Sequence, residues 1–305
     1  MTANPPLPPL PLAEWEATKT ALHLMFQIVG KVRLRLMPPQ NHWWHATLYP
    51  DARGVTTRLI PWGHGGFEIK FDLVDHRAEL LTTAGERRSI ALPGISVGDF
   101  YEKLFAALEA EGITAPIKAQ PYDLRIDTGF AADREHVYAD PDAVRRFWHI
   151  LVWISGVFAR FAGRFTGKTT PVHLFWHSFD LALTRFSGRQ APLQNGNVVG
   201  REAYSHEVLS FGFWAGDANV RDPAFYAYAY PEPDGLRQQR LEPGGALWVE
   251  SGNGSMALLP YEAVRMSTDP DTALLAFLES AYLAGATLAH WDIEGLRHPR
   301  YGGTK

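Results

Sequence analysis

The chain of 305 residues contains no cysteine. That absence removes disulfides, thiolate zinc sites, iron–sulfur clusters and a cysteine nucleophile from the chemistry open to it. It has no long hydrophobic run either. The strongest stretch, Ile150 to Phe161, is interrupted by Trp153, Ser155, Gly156 and Arg160, so no segment reads as a membrane span. No charge of one sign dominates: the formal net charge is −4. The densest basic cluster, Lys31, Arg33 and Arg35 with Arg58, alternates with apolar positions and reads as a solvated face, so neither nucleic acid nor an anionic membrane is expected as a partner. Met1 to Pro11 is proline-rich and lacks both a cationic start and an apolar core, so it is no signal peptide and the expected location is cytoplasmic. No Gly/Ser-rich linker divides the chain.

What is present is an ordinary globular composition, 46% hydrophobic and 20% charged, at a length that can bury a full core. The two halves echo one another. Pro39, Trp44, His45 and Arg53 recur at a constant offset as Pro171, Trp176, His177 and Arg185. Each set follows an amphipathic helix and opens an aromatic, His-bearing segment that reads as a strand. The expected fold class is therefore α+β, an internally duplicated helix–antiparallel sheet–helix unit packed as one pseudo-symmetric body. The expected parts are an extended arm (1–11), a first unit with its connector (12–134), a second unit (135–291) and a tail (292–305).

Within the first unit, Trp15, Leu22, Met25, Phe26, Val29 and Leu36 stripe a helix from about Leu12 that Pro38-Pro39 ends. Strands are expected at Trp43–Tyr49, Val55–Ile60 and Phe67–Leu73, and a hairpin about Ala84-Gly85. Ser96-x-x-Asp99 caps a helix that Gly112 stops, and a strand is expected near Ile117–Ile126. In the second unit Asp140-Pro141 starts a central helix. One strand is expected from Val172 to Phe186, then a polar loop (Gly188–Gly200), strands at Ser205–Phe213 and Tyr226–Tyr230, a hairpin about Gly252-Asn253-Gly254, and a helix capped by Asp269.

Five motifs give the chain a likeness: Asn41-His42-Trp43-Trp44-His45, Thr184 to Arg189, Arg201 to Glu207, Gly212-Phe213-Trp214 and Tyr226 to Pro231. Together they resemble the bacterial family known as domain of unknown function 5996, over nearly the whole chain. The resemblance implies one conserved bacterial unit and no particular activity. The chain departs from the family pattern at His177, where a small residue is usual, which weakens a role for that imidazole.

Gly163 to Thr169 imitates a phosphate-binding loop, but it has three residues between its glycines instead of four and follows a helix. It reads as a helix-to-strand turn. No pair of histidines has the spacing of a local metal clamp: on a strand His173 and His177 would lie about 13 Å apart, and His42 and His45 would face opposite ways. No metal or cofactor is therefore expected. Tyr204, His206 and Glu207, with His173, are the candidates for acid–base catalysis. His42, Trp43, His45, Arg185 and the row Tyr226, Tyr228, Tyr230 are the candidates for ligand binding, an aromatic wall with a few donors suited to a planar or anionic small molecule. Three functions follow: a small-molecule enzyme, a non-catalytic binder of an aromatic or anionic metabolite, or an interaction module whose aromatics are all core. A cleft joining His173, Tyr204, His206, Arg185 and a row tyrosine is the expected site.

Overall fold

Pro11 supplies the extended residue before the first helix, and Met37, extended before Pro38, ends it. In the computed structural model, which describes residues 6–192, 198–252 and 254–301, α1 accordingly spans Leu12–Leu36. The chain is α+β and divides into two compact units. The N-terminal unit is Leu10–Val152 with His173–Asp180; the C-terminal unit takes Trp153–Val172 and Leu181–Lys305 together with Met1–Pro9. Among the described residues no helix is long and apolar enough to cross a membrane.

In the N-terminal unit α1 is followed by β1 (Tyr49–Pro50), β2 (Gly54–Thr56), β3 (Ile60–Trp62), β4 (Gly65–Asp72), β5 (Arg77–Thr82) and β6 (Arg87–Ala91), then α2 (Val97–Ala110). The strands form one antiparallel sheet in the order β1-β2-β4-β5-β6, with β3 also on β4. Phe67, Ile69 and Phe71 bury one face of β4, as their alternation predicts. The Ser96 hydroxyl accepts the Asp99 N–H at 3.1 Å and starts α2.

Three expectations fail here. The strand expected at Val55–Ile60 is two, β2 and β3, parted by a turn in which Arg58 has φ 55°. Residues 41–46 form a 3₁₀ turn, not a strand, with His42 and Trp43 both in the left-handed region (φ 55° and 61°). The matched segment in the other half contains a true strand, so the echo in sequence is not an echo in backbone at this point. Ile117–Ile126 is not a strand: the Gln27 side chain takes both backbone groups of Tyr122, accepting its N–H at 2.7 Å and donating to its carbonyl at 2.8 Å. A side-chain amide replaces the strand neighbour that the segment lacks.

The expected strand from Val172 to Phe186 is two: β7 (His173–Phe175) and β8 (Asp180–Gln190), parted by a turn in which Phe179 has φ 58°. β7 belongs to the N-terminal unit, where Leu174 bridges Leu48. Helix α3 (Pro141–Ala162) precedes both and contributes residues to each unit.

The C-terminal unit continues with α4 (Val198–Ala203), β9 (His206–Trp214), β10 (Ala224–Tyr230), β11 (Leu247–Ser251), β12 (Gly254–Pro260), α5 (Tyr261–Arg265) and α6 (Pro270–Leu288). Its strands run in the order β11-β12-β10-β9-β8. The loop expected at Gly188–Gly200 is shorter, because β8 runs on to Gln190 and α4 begins at Val198; residues 193–197 of it, and Asn253 of the expected β11–β12 turn, lie outside the described residues. The Asp269 carboxylate accepts the Thr272 N–H at 3.1 Å and caps α6. Both units thus contain a long helix, an antiparallel sheet and a second helix.

Candidate functional site

Cross-strand register sorts the candidate residues of the C-terminal unit. Tyr226, Tyr228 and Tyr230 stand opposite Gly212, Ser210 and Val208. The Ser210 hydroxyl meets that of Thr184 at 2.9 Å, so these residues and His206 share one face of the sheet. On that face the Tyr204 and Tyr228 hydroxyls are 2.9 Å apart, Tyr204 packs edge-on to Tyr230 at 5.2 Å, and Tyr230 donates to the Pro192 carbonyl at 3.1 Å. His206 Nδ1 lies 3.1 Å from the Ser205 hydroxyl.

Arg185 follows Thr184 and projects from the other face. So does Glu207, which accepts from Ser187 at 2.8 Å and from Arg189 at 2.7 Å. Arg189 also donates to the carbonyls of Ala289 and His290 just past α6, which makes Glu207 part of a clamp on that helix end. The expected convergence of Arg185 with the tyrosine row therefore does not occur: Arg185 on β8 and the row on β10 lie on opposite faces of the sheet. His173, together with His42, Trp43 and His45, belongs to the N-terminal unit. There the Trp43 and His45 rings stack at 5.2 Å, and His45 Nδ1 accepts the Gln40 N–H at 3.1 Å.

On the helix-facing side, Arg185 is 1% exposed. Its guanidinium carbon lies 3.4 Å from the centre of the Phe161 ring of α3 and 4.5 Å from that of Tyr282 on α6. It donates to the Phe161 carbonyl, and it makes no ion pair among the described residues. Burial is the main cause that pulls its pKa down to about 10, with Glu279 and Tyr282 opposing.

This side chain opens on a cavity of about 290 Å³. Arg164, Arg297 and Glu279 contribute the other charges to its wall, and Tyr282, Leu283, Ile293, Leu296 and Tyr301 the rings and alkyl groups. Arg164 pairs with Glu279 at 2.9 Å and Arg297 with Glu294 at 2.8 Å, so of the three guanidiniums Arg185 is the one without an ion pair among the described residues. Among the described residues three polar atoms of the lining, Arg185 Nε, Arg164 Nε and the Tyr282 hydroxyl, are buried without a hydrogen-bond partner. Each such orphan costs about 1–3 kcal/mol, so three beside one cavity are a marked local cost to the fold.

The wall is built by backbone pairing. Phe165 bridges Arg297, Thr166 N–H donates to the Leu296 carbonyl at 2.8 Å, and His298 N–H to the Arg164 carbonyl at 2.9 Å. Residues 293–301 were expected within a tail, and nothing in their local pattern announces a cavity wall. Arg164 falls within the imitation phosphate loop, and no sequence motif singles out Tyr282. Arg185 alone was a candidate beforehand.

Fold and cavity together define an α+β protein with a cationic, ring-lined recess in its C-terminal unit. The chain belongs to the family of unknown function DUF5996, whose pattern matches residues 7–298. No curated protein and no solved structure matches it.

Proposed function

We propose that this protein binds a small organic anion, without covalent chemistry, in the cavity beside Arg185. A single observation carries the reading: a fully buried guanidinium with no carboxylate partner among the described residues borders a void with two other arginines and an unpaired phenol. A carboxylate or phosphate group supplies the missing acceptor, and Leu283, Ile293, Leu296 and Tyr301 receive an apolar or aromatic body. The volume, about 290 Å³, suits a metabolite of modest size. The acid–base candidates Tyr204, His206 and Glu207 do not line this cavity, which favours binding over catalysis. The recurrence of helix, antiparallel sheet and helix in both units supports a duplicated origin, against which stands the different backbone at 41–46 and 173–175.

The test is calorimetry with benzoate, phenyl phosphate and the neutral isostere benzamide. The two anions are expected to bind and benzamide not to. Tyr282→Phe should fold normally and weaken anion binding roughly tenfold to hundredfold, the worth of one hydrogen bond to a charged group. Equal binding of benzamide, or no binding by either anion, overturns the reading.

A further inference from the structure

A second cluster of unsatisfied donors stands in the N-terminal unit, around Tyr49 of β1. The guanidinium of Arg58 lies 3.6 Å from the centre of the Tyr49 ring, that of Arg33 on α1 lies 5.6 Å away, and the ring centre of His173 on β7 is at 6.3 Å. Arg33 and Arg58 were expected on a solvated face; Arg33 is instead 3% exposed, and only Arg58 reaches solvent. His173 is fully buried, and neither of its ring nitrogens has a hydrogen-bond partner. Arg33 Nη1 donates to the Thr57 carbonyl, while its Nε has no partner. No carboxylate pairs with Arg33 or Arg58 among the described residues.

An imidazole can satisfy one nitrogen as donor and leave the other merely desolvated. To leave both empty in a dry core costs more than replacing the ring with phenylalanine would. Two arginines beside it, without a counter-charge, add mutual repulsion that a low-dielectric surrounding strengthens. Burial first, then Arg58 and Arg33, hold the His173 pKa down at about 3, so the ring is neutral and offers an N–H. Every unsatisfied group here except one imidazole nitrogen is a donor, and the net charge of the cluster is positive. An acceptor of negative charge answers every one of the donors and the net charge together.

We propose that Arg33, Arg58, Tyr49 and His173 form a second oxyanion site, separate from the Arg185 cavity, that takes a carboxylate or phosphate group. Arg58 is the exposed member and the first to meet the incoming anion; Arg33 and the His173 N–H hold it inside.

The experiment follows the His173 ring resonances by NMR in the full-length protein during titration with inorganic phosphate and, separately, acetate, sodium chloride keeping the ionic strength constant. A saturable shift is expected with at least one of them, and the tighter of the two names the group. Arg58→Met, at an exposed position and with an apolar stem still able to cover the Tyr49 ring, should weaken binding about tenfold or more, the worth of one charge-assisted contact. Arg185→Met should leave this titration unchanged, which keeps the outcome independent of the cavity in the other unit. His173 resonances that ignore both anions, or an Arg58→Met protein that binds as tightly as the wild type, overturn the proposal.

Discussion

Replacing Arg185 by methionine is expected to stabilise the unliganded protein by about 1–2 kcal/mol and to abolish its response to organic anions. The two effects have one cause. Arg185 is 1% exposed, and burial pulls its pKa well below the ordinary arginine value, to about 10. At about 1.4 kcal/mol for each tenfold change, the folded protein disfavours this charge by on the order of 3 kcal/mol relative to water. The rings of Phe161 and Tyr282 return part of that through cation–π attraction, about 2 kcal/mol at most for a desolvated pair. Methionine keeps the length and the ring contacts of the stem without the charge, and buried ions replaced by apolar groups often leave proteins more stable. The pH dependence follows from the direction of the shift. A base whose folded pKa is depressed carries its full penalty below about 10 and loses it as pH rises from there toward the ordinary arginine value. Near neutral pH the gain from Arg185→Met is therefore complete. Urea unfolding with and without phenyl phosphate measures both effects. A variant less stable than the wild type without anion makes Arg185 a structural cation, and one that still gains stability from the anion moves the site elsewhere.

The parts of the fold legible in the sequence are those set by neighbours along the chain. The alternation of Phe67, Ile69 and Phe71, the caps at Ser96 and Asp269, and the end of α1 at Pro38-Pro39 each need only a few residues to declare themselves. The failures are places where distant contacts override local preference. His42, Trp43 and Phe179 are bulky residues at positive φ, a conformation their side chains disfavour, and nothing local forecasts it. Their aromatic composition argues for strand, which a left-handed backbone excludes. Gln27 lies 95 residues from the Tyr122 backbone it satisfies, so the irregular course of the connector was equally invisible.

The candidate site divides in the same way. Arg185 stood out as a guanidinium in an apolar strand, and the tyrosine row as a period-two pattern. What separates them is the register that sets Thr184 against Ser210 and Tyr228 against Ser210, a non-local fact. The companions of Arg185 come from three places with no common signature: the turn after α3, the buried stripe of α6, and residues 293–301. Arg33 departs from the expected solvated face for a related reason. Alternation with apolar residues suggests a wet position, but on α1 its place turns it inward, while Arg58 is exposed as expected.

Gly30→Ala is expected to destabilise the N-terminal unit by about 2 kcal/mol or more, against the usual sign for such a change. In a helix interior alanine normally gains about 1 kcal/mol over glycine, and Gly30 lies well inside α1. Here a Cβ would stand 2.2 Å from Cγ and Cδ1 of Trp176 and 2.7 Å from Cδ2, where contact begins at about 3.5 Å. These are the inner atoms of the indole, next to the backbone, and a rotamer change of the ring tip does not clear them. Trp176 is 6% exposed and packs edge-on to Tyr122 at 6.4 Å. Its surroundings are tied to the same helix on both sides: His23 Nε2 bonds the His177 carbonyl at 3.0 Å, and Gln27 holds the Tyr122 backbone. Making room for one methyl group therefore means breaking a hydrogen bond or straining the turn after β7, on top of an overpacking cost of about 1–3 kcal/mol. Trp176→Leu in the Gly30→Ala background should recover part of the loss, because it removes the atoms in conflict. Urea unfolding of the single and double variants decides it. If Gly30→Ala is as stable as the wild type, helix propensity has won, and the close approach of α1 to Trp176 is not what fixes this part of the core.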